Sequence, residues 1–184
     1  GVPLAIAAAA ILGLLAGVVI GVVSSVFTSD TGFRRFKPVR SMLRAAETSS
    51  ATLILSGYSY GLLSAIPSVM GIVVAMIGSF LLGASVVFPG LTAWSSGIYG
   101  VAIAAVGLLA THGLVVSSDA YGPIVDNARG LIEQAHAPKE AIETCDRLDA
   151  VGNTAKAITK GFAIGASALT VIALFAAFVE LAQV

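Results

Sequence analysis

The sequence contains little charge and almost no cysteine, and both shortages narrow the classes of protein to which it can belong. Charged residues make up 11% of the 184 residues and hydrophobic residues 57%, whereas soluble domains carry about 25% charged residues. This composition predicts an integral membrane protein. Cys145 is the only cysteine, so no intrachain disulfide can form. Basic and acidic residues balance at ten each, which gives no support to nucleic-acid binding.

Several familiar catalytic motifs are also missing. No Walker A loop, zinc-binding motif or Ser-His-Asp arrangement occurs in the sequence. The chain has no initiator methionine and starts with the apolar run GVPLAIAAAA, so we expect a fragment or a processed chain. Its first apolar segment is longer than the hydrophobic region of a signal peptide.

Long uncharged segments predict four transmembrane helices, because a hydrocarbon core of about 30 Å needs roughly 20 apolar helical residues. The predicted fold class is all-α integral membrane, with four long helices that form part of a larger bundle. The expected helices cover residues 2–27, 51–83, 92–135 and 148–182, within one transmembrane segment, residues 1–184. Pro67 and Pro123 should bend the second and third helices.

A basic connector, Thr28–Ser50, indicates which side of the membrane is cytoplasmic. Its five basic residues follow the tendency of Lys and Arg to stay inside, although a phosphate-binding role is an alternative. With both charged connectors inside, both ends of the chain lie outside. The basic residues are Arg34, Arg35, Lys37, Arg40 and Arg44.

Polar side chains concentrate between Asp119 and Lys160, which hold twelve of the twenty charged residues. Charged groups beside membrane spans are costly unless paired or bound, so they are functional candidates. Asp119 and Asp126 are seven residues apart and share one helix face, within about 20°. A second stripe, if helical throughout, covers an arc of about 80°. Its members are Asp146, Asp149, Asn153, Lys156 and Lys160.

This combination of side chains suits magnesium and phosphate chemistry. Carboxylate and amide oxygens are hard ligands that Mg²⁺ prefers, and lysines bind phosphate groups as point charges. Together, a metal ion and lysine neutralise the charge that develops in phosphoryl transfer. The alternative is a structural polar network between two helices, made by Asp126, Asn153 and Lys160.

The same stretch resembles the membrane-bound, ion-pumping pyrophosphatases. The family hallmarks are similar to DAYGPIxDNAGG and TDALDAVGNTT(A/K)AxxKGFAIGSAALT. Here they read DAYGPIVDNARG and TCDRLDAVGNTAKAITKGFAIGASALT. The resemblance is dense over Asp119–Val179 and weaker upstream, at YGVAIAAVGLLAT (Tyr99–Thr111) and KPVR (Lys37–Arg40). It implies two concentric rings of helices, Mg-pyrophosphate as substrate, transport of H⁺ or Na⁺, and a homodimer in a cell membrane or an acidic organelle membrane.

The resemblance also implies roles for individual residues. Asp126 and Asn153 would bind Mg²⁺, with Asp149 as a further metal residue. Asp119 would support these ligands and contact substrate, and Lys160 would be a catalytic, substrate-binding lysine. Lys156 stands where potassium-dependent members have alanine, and Thr159 accompanies lysine there. That pair resembles the potassium-independent, proton-pumping branch.

The chain departs from the family pattern in three positions and in length. Arg129 replaces the first glycine of GG, Ala155 replaces the second threonine of GNTT, and Leu63 stands where many family members carry a charged side chain. Family members run to several hundred residues, so the missing helices should supply further acidic ligands and the ion gate. We therefore expect part of a proton-pumping pyrophosphatase, inactive alone, that needs the remaining helices of the pump. The competing interpretation is a small, non-catalytic four-helix membrane assembly protein.

Overall fold

The computed structural model describes residues 1–29 and 37–182, and in these residues the regular structure is entirely helical. Four long stretches of helix are apolar enough to cross a membrane: Val2–Thr28, Ser50–Val86, Ala93–Gln134 and Lys139–Ala182. The predicted all-α membrane fold is therefore confirmed. The helices are α1 (Val2–Thr28), α2 (Pro38–Thr48), α3 (Ser50–Val86), α4 (Ala93–Leu108), α5 (His112–Gln134) and α6 (Lys139–Ala182).

The basic connector contains a helix that the sequence reasoning did not predict. Helix α2 starts with Pro38 at its first position, where proline has no backbone hydrogen bond to lose. It ends before Ser49, whose hydroxyl accepts the backbone N–H of Thr52 at 3.2 Å and so caps α3. Arg34 and Arg35, which carried part of the topology prediction, lie outside the described residues.

Helix α6 begins at Lys139, whereas the sequence reasoning placed its start at Leu148. The carbonyl of Pro138 accepts the N–H groups of Ala141 at 2.9 Å and Ile142 at 3.2 Å, and Glu140 lies in the first turn. A proline before the helix and an acid in its first turn are favourable start features. Residues 139–147, which were predicted to lie in a polar loop with a plausible helix start at Pro138, are therefore helical.

The third predicted span is interrupted. Helix α4 ends at Leu108, and a single 3-10 turn, Leu109–Thr111, separates it from α5. Gly107 and Gly113 flank this turn, and glycine is a weak helix former. Pro67 and Pro123 both lie inside helices that continue past them, α3 and α5. The sequence reasoning predicted a bend at Pro123 and did not predict the 3-10 turn at Leu109–Thr111.

One compact unit consists of Gly1–Ile20, Ile66–His112 and the chain from Phe162 onward. Its helices touch through their backbones, since a Cβ at Gly13 would lie 1.8 Å from the carbonyl oxygen of Ala104. Glu180 is the only Asp, Glu, Lys or Arg in this unit. Its carboxylate accepts the hydroxyl of Ser95 at 2.7 Å, a contact that the sequence reasoning missed.

The second compact unit consists of Gly21–Ala65 and Gly113–Gly161. It contains α2, the whole of α5 after its first residue, and the first half of α6. All the charged residues predicted to carry function, from Asp119 to Lys160, belong to this unit. The site described next therefore lies within a single unit.

Candidate active site on the α5–α6 hairpin

A tight turn folds α5 and α6 into a hairpin. His136 adopts a left-handed conformation with φ of 50°, and its N–H donates to the carbonyl of Glu133 at 3.1 Å. The N–H of Ala137 donates to the carbonyl of Ile132 at 3.2 Å. This pair of hydrogen bonds resembles the motif that commonly terminates a helix. Because α6 starts immediately afterwards, the polar stripes of the two helices run beside each other.

Two glycines allow the backbones of α5 and α6 to touch. A Cβ at Gly152 would lie 2.7 Å from Cγ2 of Val125 and 3.0 Å from Cα of Gly122. Both glycines are buried. Gly152 is adjacent to Asn153, and Gly122 is one helical turn from Asp126. The close approach therefore brings the stretch of α5 that carries Asp126 against the stretch of α6 that carries Asn153.

Four of the predicted site residues form one continuous polar network. The ammonium of Lys156 donates to Oδ2 of Asp126 at 3.3 Å and to Oδ1 of Asn153 at 3.4 Å. The amide of Asn153 donates to Oδ2 of Asp149 at 3.2 Å. The Lys156 side chain is 26% exposed and that of Asp126 is 58% exposed. The network thus extends from the partly buried Lys156 side chain to the exposed Asp126 side chain.

One oxygen in this network is unsatisfied. Oδ1 of Asp149 is buried and has no hydrogen-bond partner among the described residues. Buried polar atoms normally have a partner, and leaving one without costs about 1–3 kcal/mol. A bound cation is a suitable partner for a carboxylate oxygen. Within residues 1–29 and 37–182, however, no group of three or more His, Cys, Asp and Glu side chains is arranged to hold a metal.

Three predicted site residues stay outside the network. Asp119 is half-buried and Lys160 is exposed, and neither forms an ion pair or a hydrogen bond through its side chain within the described part of the chain. Thr159 connects the two helices instead. Its hydroxyl lies 3.2 Å from the carbonyl oxygen of Val115 and 3.1 Å from that of Ala155.

Arg129, one of the departures from the family pattern, forms a second cross-helix contact. Its Nε donates to Oδ1 of Asp146 at 2.9 Å, and its Nη1 contacts the carboxylate of Glu133. Asp146 therefore pairs with Arg129 and does not join the Lys156 network. The spacing of Arg129 and Glu133, four residues apart on a helix, signals their contact in the sequence. The pairing with Asp146 depends on the hairpin and has no such local signal.

Asn153 also lines a cavity of about 800 Å³, which lies within the second compact unit. Its walls come from the end of α1 and from α2, α5 and α6, and they combine apolar side chains with hydroxyl groups. Among the described residues of the lining, Arg147, which the sequence reasoning did not single out, is the one basic side chain. The lining includes Val39, Leu114, Arg147, Asn153, Thr154 and Ile158.

Comparison with known proteins gives the same family over almost the whole chain. The family model described as inorganic H⁺ pyrophosphatase matches residues 2–184. A protein of Pyrobaculum aerophilum named K(+)-insensitive pyrophosphate-energized proton pump is 42% identical over 181 residues, which cover 96% of this chain and 24% of that protein. Another of that name, from Methanosarcina mazei, is 42% identical over 163 residues, 88% of this chain and 23% of the relative.

A relative that is named as a sodium pump has the same sequence identity to this chain. A Bacteroides thetaiotaomicron protein named as a K(+)-stimulated pyrophosphate-energized sodium pump is 42% identical over 175 residues, 95% of this chain and 23% of that protein. The chain thus spans about a quarter of the length of the curated relatives it matches. The family match, these relatives and the four helices that could span a membrane agree: this chain is a multi-pass integral membrane protein and belongs to the inorganic H⁺ pyrophosphatase family.

Proposed function

We propose that the chain is part of a pump that couples hydrolysis of Mg-pyrophosphate to proton transport, and that the α5–α6 hairpin contributes to its active site. The observation that carries this proposal is the continuous contact of Asp126, Lys156, Asn153 and Asp149. Charged side chains that abut membrane spans are functional candidates, because such groups are costly unless they are paired or bound. Membership in the family favours this function over the non-catalytic assembly protein.

The metal residues in this proposal are Asp126, Asn153 and Asp149. Their side chains offer carboxylate and amide oxygens, the ligand type that suits Mg²⁺, and Oδ1 of Asp149 is an acceptor without a partner in the described residues. When bound, Mg²⁺ neutralises charge on phosphate oxygens and orients the phosphate groups. The Asp126 carboxylate, now paired with Lys156, would exchange that partner for the metal.

Lys160 and Asp119 are the proposed substrate residues. Lys160 is exposed on α6, one turn beyond Lys156, so its ammonium is accessible to a phosphate group, and we assign it the catalytic role. Asp119 lies on the α5 face that also carries Asp126. We propose that Asp119 contacts bound Mg-pyrophosphate and supports the metal residues.

The proton-pumping, potassium-independent branch is the proposed assignment. Overall identity does not decide between branches, because relatives named for either ion are 42% identical to this chain. Lys156 and Thr159 carry the assignment. The ammonium of Lys156 lies against Asp126 and Asn153, where it would supply permanently the positive charge that a bound potassium ion supplies elsewhere.

The proposed assembly is larger than this chain. The partners are the other helices of the pump, which cover the exposed apolar faces together with membrane lipid, and a second copy of the pump in a homodimer. Large exposed side chains on α1, α3 and α6 are consistent with such a covering. They include Leu4, Leu15, Ile54, Met70, Phe175 and Leu181.

The decisive experiment compares two carboxylates of the hairpin in the full-length pump. Asp126→Asn should lower kcat/KM for pyrophosphate by more than about tenfold and shift the Mg²⁺ requirement, because a proposed metal ligand loses its charge. Phosphate release from membrane vesicles measures both quantities, and vesicle acidification reports proton transport.

Glu143→Gln is the matched control. Glu143 also lies on α6, but it pairs 3.5 Å away with Lys139, and both side chains are mostly exposed. Such surface pairs contribute little, so activity should stay within about twofold of the parent. Unchanged activity and Mg²⁺ dependence in Asp126→Asn would contradict the proposed site.

A further inference from the structure

The side chain of Lys156 does not point straight across the hairpin but runs along it. Gly152 on α6 lies against Gly122 on α5, and Thr159 contacts Val115. Along the hairpin, the backbone of Lys156 therefore lies between the Gly122–Gly152 contact and the Val115–Thr159 contact. Asp126, which its ammonium contacts at 3.3 Å, is about one turn beyond Gly122.

The stem of Lys156 crosses Gly122 on this path. A Cβ added at Gly122 would lie 2.5 Å from Cε of Lys156 and 2.9 Å from its Cγ. Contacts this short are not tolerated, so the lysine stem, whose Cε is near the end of a flexible side chain, would have to move. The missing side chain at Gly122 thus forms the groove in which the lysine stem lies.

We propose that Gly122 is a positioning residue that determines where the Lys156 ammonium lies, and through it whether the site works without potassium. With glycine at this position, the stem stays in the groove and the ammonium reaches Asp126 and Asn153. With alanine, the stem is displaced and the ammonium leaves the network. This inference rests on the proposed function, since it concerns the potassium response of the same site.

A simpler role for Gly122 would be to let α5 approach α6. The distances from an added Cβ to the α6 backbone and to the Lys156 side chain distinguish this packing role from the positioning role. A Cβ at Gly122 would lie 3.1 Å from the carbonyl oxygen of Gly152, a contact that requires a shift of only a few tenths of an ångström. The distances from this Cβ to Cε and Cγ of Lys156 are shorter, so the substitution should displace the lysine side chain more than the α6 backbone.

A double-mutant cycle in the full-length pump tests the proposal. The variants are Gly122→Ala, Lys156→Ala and the double variant, with phosphate release measured with and without potassium. Gly122→Ala should lower the potassium-free rate by at least about threefold and make the rate rise with added potassium. In the Lys156→Ala background the same change should have less than about a twofold effect, because the stem it displaces is absent.

The cycle has two outcomes that would overturn the inference. Equal loss of activity from Gly122→Ala in both backgrounds would mean that Gly122 serves helix packing alone. A potassium-independent Gly122→Ala enzyme would mean that the groove does not control the ammonium. Gly113→Ala is the matched control on α5, because a Cβ there meets nothing within 4 Å.

Thermal unfolding of the same variants without substrate separates this inference from the proposed function. If Lys156→Ala itself shows no potassium response, the assigned role of Lys156 in catalysis is wrong. The unfolding midpoints still report the Gly122–Lys156 contact, and we expect a larger drop from Gly122→Ala when Lys156 is present. If the two substitutions lower the unfolding midpoint additively in the double variant, the inference is overturned.

Discussion

At the scale of single residues, Lys156 is the most informative side chain in the molecule. Its ammonium contacts an acid on α5 and an amide on its own helix, so one positive charge joins the two polar stripes. A tethered ammonium needs no recruitment from solution and avoids the entropy cost of ordering an ion. This is the physical basis for expecting activity without potassium.

Replacing this lysine tests that expectation. In the full-length pump, Lys156→Ala should lower the potassium-free rate and make the enzyme potassium-stimulated, since the site then lacks a positive charge that a monovalent ion can restore. Phosphate release at increasing potassium concentration measures the effect. A parent enzyme that already requires potassium, or an alanine variant indifferent to it, would contradict the assignment.

Only some of the residues that the sequence singled out contact one another in the structure, since Asp119 and Lys160 stay outside the network. Helical spacing was enough to expect Asp126 near Asn153, because both lie on polar stripes of neighbouring helices. It did not predict whether Lys156 pairs with Asp126 or with Asp149. That choice depends on the groove at Gly122, which requires the three-dimensional register of two helices. The Arg129–Asp146 contact escaped prediction for the same reason.

At the scale of helices, the α5–α6 hairpin is held together by the contact of two glycines. Backbone approach between helices needs residues without bulk, and small residues are common at contacts between membrane helices. Gly122 and Gly152 each lie one helical turn or less from a residue of the polar network. Close packing and the site geometry therefore have the same origin.

Adding one methyl group at Gly152 should disturb this packing. Gly152→Ala would bring a Cβ to 2.7 Å from Val125 and 3.0 Å from the backbone of Gly122, and such overpacking costs about 1–3 kcal/mol. We expect a lower unfolding midpoint in detergent, together with reduced activity of the full-length pump.

Gly130→Ala provides the control for that substitution. A Cβ at Gly130 meets nothing within 4 Å, and alanine is the better helix former by about 1 kcal/mol. The midpoint of Gly130→Ala should therefore stay unchanged or rise. If Gly152→Ala is as stable as Gly130→Ala, the close contact of the two helices is not what holds the hairpin.

Helix existence was easier to predict than helix ends. A long uncharged segment predicts a membrane helix without any knowledge of the helices that pack against it. For this reason four long helices were expected, and the structure contains them. The start of α6 was misplaced because residues 139–147 are polar, and polarity was taken as a sign of a loop. Pro138, Glu140 and the left-handed His136 carry the local start and stop signals.

At the scale of the whole molecule, the chain would supply only part of the proposed metal site. Asp126, Asn153 and Asp149 can supply a few oxygens, whereas Mg²⁺ prefers six ligands in octahedral geometry. Within the described ranges, no group of three or more His, Cys, Asp and Glu side chains could hold a metal by itself. The remaining ligands must come from water, from substrate and, in our proposal, from other helices of the pump.

This incompleteness predicts that the 184-residue chain alone hydrolyses no pyrophosphate. Phosphate release by the chain purified in detergent, with Mg²⁺ present, should stay at the background rate. The full-length pump, purified in the same way, serves as the positive control. Turnover by the isolated chain well above background would show that its own residues suffice for the reaction.

The central claim, that the α5–α6 hairpin binds Mg-pyrophosphate, is tested most directly by a structure of the full-length pump with Mg²⁺ and a non-hydrolysable pyrophosphate analogue. We predict a metal ion bonded to oxygens of Asp126 and Asn153 at about 2.0–2.1 Å, with the analogue beside it and the Lys156 ammonium near the analogue. Metal and analogue bound away from this hairpin, with Asp126 still paired to Lys156, would contradict the account.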